Sequence, residues 1–82
     1  MEYYIIVYKN TLNAMEAEKI LNEKRYTFKI MPTPTSITQS CGICTRFQSG
    51  EEISRIINEK IIIYKNIYYK NNEGYKLIEK GE

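Results

Sequence analysis

The chain has 82 residues, 43% of them hydrophobic and 27% charged, with 12 Lys and Arg against 10 Asp and Glu for a net charge of +2. That length allows one small domain with a thin core. The apolar content excludes a disordered chain, no run suits a membrane span, and so small a net charge does not by itself call for nucleic acid.

The opening stretch MEYYIIVYKN carries an acid at its second position and only a short apolar run, which reads as neither a signal peptide nor an anchor and points to a cytoplasmic address. Within it, Tyr3 to Tyr8 is β-branched or aromatic at both parities, the pattern of a strand with neighbours on both sides. From Thr11 to Lys24, Ala14, Ala17 and Leu21 recur at three- and four-residue steps, predicting an amphipathic helix whose alanines allow close packing on a sheet. Asn10, Thr11 and Asn13 are candidate N-caps.

Tyr26 to Met31 alternates Phe28 and Ile30 with polar neighbours and predicts a second strand, halted by Pro32. The stretch Pro32 to Ser40 holds both prolines with several Thr and Ser. It predicts a loop, longer than a hairpin needs and of a kind often used for function. Gly42 to Phe47 alternates Ile43 and Phe47 with Cys44 and Arg46, a third strand. Ser49 and Glu52 have capping-box spacing ahead of the Ile53, Ile56, Ile57 stripe, so 50–60 reads as a second helix. Ile61 to Tyr64 and Asn66 to Tyr69 are β-prone, and Asn71 to Gly74 is turn chemistry before Tyr75 to Ile78.

The order β-α-β-β-α-β predicts an α+β ferredoxin-like sandwich, an antiparallel sheet with two helices on one face. An extra C-terminal strand extends one edge, where Tyr68, Tyr69 and Tyr75 are candidates for pairing between two copies. Phe28, Ile30, Ile43 and Phe47, with Ile5 or its neighbours, Ala17, Leu21, Ile53 and Ile57, are the expected core between sheet and helices.

In that topology the first strand-to-helix turn and the loop before the third strand share one end. Cys41 and Gly42 are expected beside Lys9, Asn10 and Thr11, where the free amides of the first helix favour a thiolate; Lys9 and Arg46 would add to the effect. Gly42 reads either as a positive-φ turn or as a point of close approach. As a loop thiol, Cys41 has no evident packing reason, whereas Cys44 reads as a small half-buried filler on the face opposite Ile43 and Phe47. Residues three apart on a strand face opposite ways, so the Cys-Gly-Ile-Cys run, although similar to the motif of thioredoxin-like oxidoreductases, is disfavoured as a dithiol pair. With no histidine and two cysteines, a four-ligand zinc site within the chain is not expected, nor is any other cofactor. The C-terminal lysines and tyrosines alternate with Glu59, Glu73, Glu79 and Glu82, which reads as a solvated edge rather than a nucleic-acid surface.

Ala14-Met15-Glu16-Ala17-Glu18-Lys19, Met31-Pro32-Thr33-Pro34, Ser40-Cys41-Gly42-Ile43 and Arg46-Phe47 together resemble the small bacterial family of selenium/sulfur carrier-like proteins. The spacing from Pro-Thr-Pro to Ser-Cys-Gly is the specific part. The resemblance implies one carrier cysteine, Cys41, holding sulfur or selenium as a persulfide or selenosulfide between donor and acceptor proteins. Gly42, Ser40, Cys44, Arg46, Lys9, Asn10, Pro32 and Pro34 are the surrounding candidates. Where the family often has an arginine after the second proline, this chain has Thr35; Cys44 stands where the family often has a small residue. The competing readings are a small binding module in which the cysteines are incidental, and a dithiol oxidoreductase.

Overall fold

The computed structural model describes residues 2–37 and 41–81. Seven elements follow in order: β1 (Tyr3–Val7), α1 (Thr11–Glu23), β2 (Lys29–Pro32), β3 (Ile43–Phe47), α2 (Gly50–Glu59), β4 (Asn66–Asn71) and β5 (Gly74–Lys80). They build an α+β structure around one five-stranded sheet in the order β2-β3-β1-β4-β5, with every neighbouring pair antiparallel.

β1 lies between β3 and β4, and its two-sided apolar pattern shows what each face meets. Ile6 and Tyr8 join Ala14, Ala17 and Leu21 of α1, Ile53 and Ile56 of α2, Phe47 and Ile67 in the larger core. Ile5 and Val7 point the other way, into a smaller cluster with Cys44 and Ile37. Both helices therefore cover one side of the sheet, and among the described residues the other side carries no helix.

The helices begin as their sequences predict. Asn10 caps α1, its side-chain oxygen accepting from the Asn13 amide at 2.8 Å, and Ser49 caps α2 through the Glu52 amide at 3.2 Å. The reciprocal half of the capping box is not made, because Glu52 Oε2 instead accepts from the Thr27 amide at 3.2 Å and ties the entry of β2 to α2. The helices end without glycine: Arg25 (φ 64) and Lys60 (φ 52) take the left-handed conformation that closes a C-terminus. At α1, Arg25 N donates to Asn22 O and Tyr26 N to Leu21 O.

Three expectations are corrected. The second strand starts at Lys29 rather than Tyr26 and includes Pro32 as its last residue, which an edge strand tolerates because its outer side needs no donor. Ile30 is 41% exposed instead of buried: β2 is the outermost strand, and the inward role passes to Phe28, stacked on Phe47 with ring centroids 5.9 Å apart. Ile61 to Tyr64 is not a strand. That segment climbs from the helix layer to the sheet and enters it where Lys65 N donates to Val7 O at 2.8 Å. The place beside β1 belongs to β4, whose hairpin with β5 is fixed at Asn71 and Gly74, the glycine at φ +125. The C-terminal strand lies at the expected edge.

Candidate functional site

β1 and β3 pair with Val7 opposite Cys44 and Ile6 opposite Thr45. That pairing ends at Val7 and Cys44, and the expected placement of Lys9 and Asn10 beside Cys41 and Gly42 falls beyond the paired residues. On its other side the start of β3 is held by the Pro-Thr-Pro segment. Thr33 N donates to Gly42 O at 3.0 Å, and the Thr33 hydroxyl donates to Cys41 O at 3.0 Å. Thr33 is itself 4% exposed, so these bonds form a buried clamp between the end of β2 and the approach to β3. Beyond it, Ile37 N donates to Pro34 O at 3.1 Å, closing a turn that seats Ile37 against the helix-free face.

The two thiols are both free and both buried, and they face different clusters. Cys41, 5% exposed, belongs to the core beneath the helices, with Tyr8 and the α1 alanines among its members. Cys44, fully buried, belongs to the cluster of Ile5, Val7 and Ile37. The expectation that Cys41 lacks a packing reason is therefore corrected: the clamp draws it inward, and a cysteine behaves there as a small hydrophobe. Cys44 is a small filler on the face opposite Phe47 as expected, but fully buried where half-burial was expected.

Burial pushes the Cys44 thiol up to about 11, since desolvation opposes the thiolate. The Thr33 hydroxyl, within hydrogen-bonding reach, offsets part of this, and the neighbouring Cys41 adds to it. The Cys44 thiol points at Pro32 O, 3.8 Å away. Tyr8 lies near both cysteines, its hydroxyl sharing a 2.8 Å hydrogen bond with Thr45; burial raises this phenol far beyond its ordinary range.

The other expected site residues distribute as follows. Gly42 is exposed, is not among the positive-φ residues, and a Cβ placed on it would meet nothing within 4 Å. The turn reading of this glycine is thereby removed. Lys9 is exposed at the end of β1 and lines, with Lys60 and Lys80, a groove of about 600 Å³ beside the end of α2. Asn10 spends its carboxamide oxygen on the helix cap. Arg46 is not brought to Cys41: it lies on the helix-free face with its guanidinium 4.0 Å from the centroid of the Tyr3 ring. Ser40 lies outside the described residues. Sequence reasoning missed Thr33, Tyr8 and Ile37 as parts of this region. The alternation of Pro and Thr marked the loop but gave no sign of which threonine turns inward.

The site is thus a cysteine-bearing sheet end on a small α+β frame, with no group of three or more Cys, Asp or Glu side chains placed to hold a metal among the described residues. A family model described as "Putative Se/S carrier protein-like" matches residues 3–69, and the chain belongs to that family. No curated protein and no solved structure matches it. Among the described residues no helix is long and apolar enough to cross a membrane.

Proposed function

We propose that this chain, on a ferredoxin-like frame extended by β5, carries sulfane sulfur or selenium on Cys41 alone and works with donor and acceptor proteins in a reducing compartment. The observation that supports this most is the contrast between the two sides of Gly42. Cys44 is sealed and its thiol is held up at about 11. Cys41 sits next to an exposed glycine with open space at its Cβ position, so a partner can approach the backbone there. The reading matches the family to which the chain belongs.

Loading needs no oxidant. The Cys41 thiolate attacks the outer sulfur of a donor persulfide, a new S–S bond forms at Cys41, and the donor's S–S bond breaks to release its thiolate. Transfer repeats the step in the other direction, with an acceptor thiolate attacking the outer sulfur of the Cys41 persulfide. Selenium follows the same balance as a selenosulfide. Because Cys41 is 5% exposed, docking has to draw its sulfur out of the core.

That burial also favours a second reading, a protein-binding module in which neither thiol reacts. One experiment separates the two. The purified chain is incubated with a cysteine desulfurase and cysteine, then weighed intact without reductant. A gain of one sulfur atom that disappears in Cys41→Ser and persists in Cys44→Ser supports the carrier. No gain leaves the binding module, and a gain that requires both cysteines returns the dithiol chemistry.

A further inference from the structure

The helix-free face of the sheet has a composition unlike the rest of the surface. Pairing places Tyr3 opposite Lys70 and Lys70 opposite Tyr75. One row along the strands, Tyr68 lies opposite Ile5, Ile5 opposite Arg46, and Arg46 opposite Lys29. Directly opposed residues in a sheet share a face, so three tyrosines and three cations lie together around the buried Ile5. Their contacts agree with this. The Arg46 guanidinium lies 4.0 Å from the Tyr3 ring centroid, the Lys70 ammonium 5.6 Å from that of Tyr75, and the Tyr3 and Tyr75 hydroxyls share a 2.6 Å hydrogen bond. Ile37 and Met31 shield the Cys44 end of this face, whereas the tyrosines and cations remain half-buried or exposed.

None of the described strand positions on this face carries a carboxylate. The described acidic residues stand elsewhere: on α1 and α2, at the β4–β5 turn, at Glu2 beside Tyr69, and at Glu79 opposite the inward-facing Ile67. A merely solvated face mixes both signs. Here one sign is segregated and interleaved with aromatic rings, although the whole chain has a net charge of only +2.

We infer that this face binds single-stranded nucleic acid, with Tyr3, Tyr68 and Tyr75 offering ring surface to unpaired bases and Lys29, Arg46 and Lys70 meeting the phosphates. Such a surface needs π-faces for stacking and cations spaced between them for the backbone. A duplex does not fit these requirements, because its bases are already stacked. The inference departs from the expectation that the chain has no nucleic-acid partner, and it stands independently of the chemistry at Cys41.

The test is fluorescence anisotropy of short 5′-labelled oligouridylate and oligoadenylate RNA, titrated with the full chain over a range of salt concentrations. Three phosphate contacts on a single strand give a slope of log K against log salt of about −2. Lys29→Gln and Lys70→Gln, at positions that tolerate polar side chains, each flatten that slope by about 0.7. Tyr68→Leu weakens binding about five-fold or more while circular dichroism is unchanged. No binding at low salt overturns the inference. So does binding that is indifferent to all three substitutions, or that duplex RNA competes away as well as single strands do.

Discussion

Thr33→Val tests whether the middle residue of Pro-Thr-Pro is the clamp described above. Valine keeps the volume and branching of threonine, so the change removes a hydroxyl and little else. The group lost donates to Cys41 O at 3.0 Å in a site 4% exposed and reaches the Cys44 sulfur. A buried acceptor left without its donor costs about 1–3 kcal/mol, against a total of roughly 4–12 kcal/mol for a chain of this length. With a urea m-value of about 1 kcal/mol/M for so small a protein, the unfolding midpoint falls by about 1–3 M at unchanged slope. Because the lost bond holds the residue preceding Gly42, iodoacetamide labelling of Cys41 accelerates by about five-fold or more, and labelling of Cys44 changes less. Thr33→Ser, which keeps the hydroxyl, retains the slow labelling. An unchanged midpoint, or equal acceleration of both thiols in Thr33→Val, refutes the clamp.

With its thiol raised to about 11 by burial, Cys44 stays protonated in the folded chain while the unfolded chain loses that proton near pH 9. The stability tied to this group is therefore complete below pH 9 and is lost as pH rises from 9 towards 11, on the order of 2 kcal/mol; urea melts of wild type and Cys44→Ala across that window should converge. Leu21→Ala, at a fully buried position, costs about 2–5 kcal/mol in the same melts, whereas Ile30→Ala at the 41% exposed edge costs under about 1 kcal/mol; equal losses would contradict the assigned core. Gly42→Ala leaves stability nearly unchanged, since its φ is not positive and its Cβ meets nothing. If Gly42 is where a partner approaches Cys41, the same substitution slows loading in the desulfurase assay, and an unaffected rate removes that role.

Local signals in the sequence determined most of the elements. The three- and four-residue spacing of Ala14, Ala17 and Leu21, the caps at Asn10 and Ser49, and the two-sided apolar run of β1 each specify their own segment, because propensity, capping and face alternation act over a few residues. Strand parity likewise separates Cys44 from Ile43 and Phe47. What the sequence could not supply was depth. Ile30 and Ile61 to Tyr64 have strand-like, core-like side chains, yet one is exposed at a sheet edge and the others form a connection, since β-branched residues report only a local preference. The burial of Cys41 and the inward turn of Thr33 depend on contacts between residues eight apart in the chain and on a helix packed from elsewhere. The same holds for the helix-free face: Tyr3, Lys29, Arg46, Lys70 and Tyr75 come from five different strands. Along the chain their charges are diluted by neighbouring glutamates, and only antiparallel pairing gathers one sign onto one side and sends the other sign away.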